Sequence, residues 1–133
     1  IAYNAIPSVV YTNPEIACIG LTEKDLNDIR EGDFAPSMST DKPFVPYEVH
    51  KLPMTFSGRF VAENEGETGL CKVIVDSRNK TIIGVHMIGN PCSEFVAAAS
   101  FAVRMGYTVG EFKQVVFPHP TVGEVLREVI MES

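Results

Sequence analysis

The residues best suited to chemistry lie in Phe117-Pro118-His119-Pro120-Thr121-Val122-Gly123-Glu124. His119 stands between two prolines. Each proline restricts its own φ and pushes the residue before it toward extended geometry. His119 therefore issues from a stiff segment whose direction the backbone sets. An imidazole that must be aimed suits proton transfer, where the position of the base matters most. Glu124 follows at the head of an apolar-periodic run, Val125-Leu126-Arg127-Glu128-Val129-Ile130. Thr121-x-x-Glu124 ahead of such a run reads as a capping box, with the threonine hydroxyl accepting from the N3 amide and the glutamate reaching back to the N-cap amide. Thr108-Val109-Gly110-Glu111 is the same tetrapeptide without the histidine and prolines, so these four residues alone need only a helix start. From the residues by themselves, Glu124 reads first as a capping side chain and second as a partner for His119.

Other reactive types are scattered. Cys18, Cys71 and Cys92 show neither Cys-x-x-Cys nor zinc-ligand spacing. Each is expected to be a small buried hydrophobe. Cys92, at an expected helix start, is the best candidate for a reactive thiol, because a helix N-terminus lowers thiol pKa. His86 lies mid-strand and is expected to be a satisfied core or interface residue, whereas His50 is expected to be solvated. Three histidines this far apart imply no metal site. The sequence has no Gly-x-Gly-x-x-Gly and no Gly-x-x-x-x-Gly-Lys-Ser/Thr, hence no phosphate loop of a known type.

A length of 133 residues suggests one domain, able to bury about two-thirds of its unfolded surface. With 45% hydrophobic and 21% charged residues the composition is globular. The net charge of −6 argues against a nucleic-acid surface. The apolar run Thr81–Ile88 is far too short to span a bilayer, and no secretory leader pattern is present. The chain opens on Ile1-Ala2-Tyr3, which suggests a piece of something longer.

The elements that must position His119 follow from pattern and punctuation. Strands are expected at 8–12 and 16–20, then a helix from a Thr22 cap to about Arg30. Residues 33–48 hold Pro36, Pro43 and Pro46 and are expected to be irregular, with a proline-marked edge strand over 45–51. A helical turn is expected over 57–64. Strands 70–76 and 81–89 form a hairpin through Ser77-Arg78-Asn79-Lys80, the second apolar on both faces and therefore central. Helices are expected at 93–105, ended by Gly106, at 109–114, and from the Pro118-His119-Pro120 turn to about Met131. Hairpin strands with segregated helices give an α+β class with an antiparallel sheet.

Three segments resemble the C-terminal dimerisation domain of the pyridine nucleotide-disulfide oxidoreductases. Tyr11-Thr12-Asn13-Pro14-Glu15-Ile16-Ala17-Cys18-Ile19-Gly20-Leu21-Thr22-Glu23 resembles its opening. Gly84-Val85-His86-Met87-Ile88-Gly89 followed by Glu94 resembles its central strand and long helix. His119-Pro120-Thr121-Val122-Gly123-Glu124 matches its closing His-Pro-Thr-x-x-Glu motif. The three occur in the family's order, from about Ile6 to Ile130. The resemblance implies a five-stranded antiparallel sheet with flanking helices that builds a homodimer interface. It implies that residues 1–133 are one dimerisation domain of a longer enzyme whose FAD domain, NAD domain and redox Cys-x-x-x-x-Cys pair lie upstream. FAD and NAD then belong to the parent enzyme, and neither is expected to bind tightly here. It further implies that His119 reaches the partner's disulfide and flavin as a base, that Glu124 orients it, and that Pro120 lies near the partner's FAD. The texture is most similar to the dihydrolipoamide dehydrogenase branch. That implies partners among lipoyl-bearing 2-oxo acid dehydrogenase complexes or glycine cleavage components, in bacterial cytoplasm or the mitochondrial matrix. Glutathione reductase-like members share the histidine, and the chain alone is expected to be an inactive association module. The sheet face and the last helix are expected to meet a second copy.

Overall fold

The computed structural model describes residues 3–31 and 45–132. The elements in chain order are β1 (Ser8–Val10), β2 (Ile16–Gly20), α1 (Glu23–Glu31), β3 (Tyr47–Leu52), α2 (Gly58–Glu63), β4 (Leu70–Asp76), β5 (Ile82–Ile88), α3 (Cys92–Met105), α4 (Val109–Phe112) and α5 (Glu124–Met131). The five strands make one antiparallel sheet in the order β1-β2-β5-β4-β3. The fold is thus α+β, and β5 is central, where a strand apolar on both faces belongs. β3 takes the edge, directly after Pro46, where a missing amide donor is tolerated. Of the expected irregular stretch 33–48, residues 33–44 lie outside the described residues.

Local chemistry accounts for the element ends. At α1, Thr22 Oγ1 accepts from the Asp25 amide at 3.0 Å and Asp25 Oδ2 accepts from the Thr22 amide at 2.8 Å. α3 ends where Gly106 turns left-handed at φ 66, its amide donating to Ala102 and Val103 carbonyls. β1 stops at Val10 instead of running to 12, because Thr12 Oγ1 donates to the Pro14 carbonyl at 2.8 Å and bends the chain. In the β4–β5 hairpin the buried Asp76 takes Arg78 Nη2 at 2.7 Å and Arg78 Nε at 3.0 Å. Those bonds hold its carboxyl below the usual range.

Strand alternation sorts the side chains onto two faces. One face sends Ala17, Ile19, Val73, Val75, Val85 and Met87 into the core. Val96, Ala99, Ala102 and Val103 of α3 and Val125, Leu126, Val129 and Ile130 of α5 join them. Truncating fully buried Leu126 to alanine would cost about 2–5 kcal/mol by lost transfer energy and residual cavity. The opposite face holds Ile16, Cys18, Leu70, Lys72, His86 and Ile88 around a shallow depression of about 270 Å³. Leu70 and Ile88 are each 37% exposed there. α5 commits its apolar side chains to this chain's own core and keeps Met131 exposed.

Candidate functional site

The loop between α4 and α5 carries the histidine. Phe117 anchors its approach, stacking obliquely on buried Phe112 at a centroid distance of 5.9 Å. Pro118, His119 and Pro120 then run exposed, with the His119–Pro120 peptide cis. Thr121 returns the chain to the body. Its amide donates to Glu124 Oε2 at 2.7 Å and its hydroxyl donates to the Pro118 carbonyl at 2.8 Å, so Thr121 closes the loop on both sides of His119.

Glu124 divides its two oxygens. Oε2 takes the Thr121 amide, and Oε1 lies 2.8 Å from His119 Nδ1. An ionised carboxylate only accepts, so Nδ1 carries the proton and donates. That leaves Nε2 of the neutral ring as the acceptor, on a side chain that is 82% exposed while Glu124 is 20% exposed. Glu124 also opens α5, where the helix N-terminus favours negative charge. Partial burial pushes its carboxyl up, but the Thr121 amide, His119 and the Arg127 charge outweigh this and hold it below the ordinary glutamate range. The arrangement is an outward imidazole whose tautomer a carboxylate fixes.

The capping-box expectation needs correcting at Thr121. Only half of the box forms: Glu124 reaches back to the Thr121 amide, but the threonine hydroxyl is drawn to the Pro118 carbonyl. α5 accordingly starts later, with Gly123 as N-cap and no side-chain cap. Beside the loop, a groove of about 360 Å³ runs between α2 and the start of α3, lined by Arg59, Glu63, Glu94, Phe95, Phe117 and Pro118 among others. Arg59 was not among the sequence candidates, since no local pattern links a position so far along the chain to His119. Pro120 is exposed next to His119.

The remaining candidates take other roles. Cys92 sits at the N-terminus of α3, but burial dominates over the helix end and pushes its thiol up to about 11. Cys71 is buried and pushed up to about 12. Cys18 departs from the expected burial: alternation turns it to the open sheet face, where it is half-buried and its thiol is raised by desolvation. His86 donates from Nε2 to the Leu21 carbonyl at 2.9 Å, and burial lowers its pKa. His50 is not solvated. Its side chain is 22% exposed beside Val75, Val109 and Gly110, because strand pairing sets His50 opposite core-facing Val73 and so on the covered face of the sheet. His50 Nε2 stands 3.5 Å from a Glu48 carboxylate that Lys80 already holds at 2.6 Å. Among the described residues no three metal-ligating side chains gather.

A family model described as pyridine nucleotide-disulphide oxidoreductase, dimerisation domain, matches residues 6–130. A mitochondrial dihydrolipoyl dehydrogenase of Caenorhabditis elegans is 36% identical over 128 residues, 96% of this chain and 23% of that protein. Dihydrolipoyl dehydrogenase 3 of Pseudomonas aeruginosa is 33% identical over 127 residues, 96% of this chain and 24% of that protein. The chain thus spans about a quarter of the length of these curated relatives. In backbone shape it is similar to LpdA from Mycobacterium tuberculosis, with a TM-score of 0.79 at 22% identity, over 99% of this chain and 26% of that one. It is also similar to the HOCl-induced flavoprotein disulfide reductase RclA from Escherichia coli, with a TM-score of 0.77 at 18% identity, over 95% and 26%. At those identities the two structures speak for the fold alone.

Proposed function

The chain belongs to the pyridine nucleotide-disulphide oxidoreductase dimerisation-domain family, and from that premise we propose that it is the dimerisation domain, residues 1–133, of an FAD- and NAD-dependent dihydrolipoamide dehydrogenase. In the homodimer it pairs through its open sheet face and lends His119 and Glu124 to the partner subunit's disulfide. The observation that carries this reading is the outward imidazole, its Nδ1 tied to Glu124 and its side chain 82% exposed. Among the described residues no accessible thiol is offered to this base, because Cys71 and Cys92 are buried with raised thiols and Cys18 is half-buried and desolvated. That supports the reading in which the sulfur chemistry comes from outside these residues.

The proton and electron balance is simple. Nε2 of neutral His119 takes the proton of a dihydrolipoamide thiol, since only the thiolate attacks. The thiolate attacks one sulfur of the partner's disulfide; that S–S bond breaks, a mixed disulfide forms, and the other sulfur leaves as thiolate. The second lipoyl thiol gives its proton to the enzyme sulfur it displaces, closing the lipoamide ring and leaving the enzyme pair as one thiol and one thiolate, with the first proton on His119. Glu124 stabilises the imidazolium formed on the way. A bound FAD would supply the parent enzyme with an electron acceptor for the reduced sulfurs, with NAD as the final acceptor. The described residues suit the role of a flavin's neighbour: His119 and Pro120 form an exposed edge, and the sequence has no phosphate cradle. Substrates on lipoyl-bearing 2-oxo acid dehydrogenase or glycine cleavage components fit this chemistry, in a mitochondrial matrix or bacterial cytoplasm.

Mixed dimers test the reading. His119→Gln in the full-length enzyme should lower dihydrolipoamide turnover by roughly 10²–10⁴-fold without unfolding it. A dimer pairing a His119→Gln subunit with one lacking its redox cysteines should regain one working site, because the intact histidine then meets the intact disulfide. A mixed dimer as inactive as both parents would sink the shared site.

A further inference from the structure

Ser57 is one of two buried polar side chains among the described residues, at 2% exposure. The other, Asp76, is held by its own hairpin. Ser57 spends both hydrogen-bonding capacities of its hydroxyl. The oxygen caps α2 by accepting from the Phe60 amide at 3.2 Å. The proton goes 64 residues along the chain, to the Thr121 carbonyl at 2.9 Å. A helix cap needs only the first of these bonds. The second tethers the residue whose amide holds Glu124 and whose hydroxyl holds Pro118.

We propose that Ser57 is a positioning residue for the His119–Glu124 pair, acting through the Thr121 carbonyl. Thr121 is then fixed at its amide, hydroxyl and carbonyl, and the first two of these bonds run to Glu124 and Pro118, on either side of His119. Its place in space sets the distance from Glu124 Oε1 to Nδ1, and so the tautomer and aim of the ring. Misplacement of reacting groups by a fraction of an ångström to an ångström costs heavily in rate, which is why a buried anchor beneath an exposed base is useful. This rests on His119 being the base of the parent enzyme.

The test uses the full-length homodimer and two readouts. Ser57→Ala should lower kcat for dihydrolipoamide by roughly ten- to a hundredfold with KM little changed. At alkaline pH, where the imidazole is neutral, the ¹⁵N shifts of His119 should change from a single Nδ1–H tautomer to a mixture. Ser57→Thr, which keeps donor and acceptor, should restore both. Ser57→Gly is the second variant should Ser57→Ala fail to fold, because glycine is tolerated as an N-cap yet cannot donate to Thr121. A mixed tautomer with unchanged kcat would support the positioning role and count against His119 as base. Either variant showing a lower melting temperature with the tautomer and kcat of wild type would overturn the proposal and leave Ser57 a plain cap.

Discussion

Thr108-Val109-Gly110-Glu111 and Thr121-Val122-Gly123-Glu124 are one tetrapeptide used twice, with different outcomes. In both, the valine is buried and the glutamate lies in the first turn of a helix. In the first, Glu111 Oε2 takes the Thr108 amide and hydroxyl at 2.8 Å each, and Thr108 Oγ1 accepts from the Glu111 amide at 3.2 Å. That box is complete and closed on itself. In the second, the hydroxyl turns to Pro118, one carboxylate oxygen caps the Thr121 amide, and the other is left for Nδ1 of His119. Capping and orienting are therefore not rival roles for Glu124. A carboxylate has two oxygens, and the proline-framed histidine captures the one that the first copy leaves to solvent. The glycines differ as well. A Cβ on Gly110 would meet only Thr108 Oγ1 at 3.9 Å, whereas one on Gly123 would stand 3.3 Å from Phe95 Cβ.

The sharpest way to break this comparison is to neutralise each glutamate in the parent enzyme. Glu124→Gln leaves one oxygen for two donors, Nδ1–H and the Thr121 amide, removes the negative charge, and should reduce kcat by roughly a hundredfold or more. Glu111→Gln should leave kcat at wild-type level. Equal steady-state losses from both would mean that the second copy is only another cap. Next in size, Thr108→Ala should cost about 1 kcal/mol in denaturant unfolding, with activity intact, because it removes a working N-cap.

The glycine pair should split by less. Gly110→Ala should gain up to about 0.5–1 kcal/mol from lower backbone entropy in the unfolded chain. Gly123→Ala should forfeit that gain, since Phe95 must move; a matching gain in thermal unfolding would show the contact to be slack. The smallest effect lies in titration. Both carboxyls are held below the ordinary glutamate range, Glu111 by Thr108, and Glu124 despite its burial by Thr121, His119 and Arg127. A depressed carboxyl adds stability that is complete above its unfolded pKa and fades as pH falls through the folded one. Carboxyl ¹³C titration should find both below an ordinary glutamate, and His119→Gln should raise Glu124 while Glu111 stays put.

Much of the fold was legible because its signals are local. The Thr22 cap, the Gly106 stop, the Ser77–Lys80 hairpin and the centrality of β5 each depend on residues within a few positions or on strand period. The half-box at Thr121 was not legible, because the same four letters encode a full box elsewhere and the competing acceptor is a backbone carbonyl. Nor were the half-burial of His50 and the outward turn of Cys18, which follow from register.

By itself the sequence determined which strands and helices form and in what order, that His119 leaves a stiff backbone, and that a carboxylate follows it five positions on. Those are short-range consequences of φ restriction, side-chain period and capping chemistry. Only the tertiary structure decided that the ring faces outward, that Glu124 shares its oxygens between a cap and an imidazole, and that Ser57 grips Thr121 from 64 residues away. Such contacts come from packing α2, α3 and α5 against one sheet, and no spacing along the chain encodes which distant atoms that packing brings within hydrogen-bond distance.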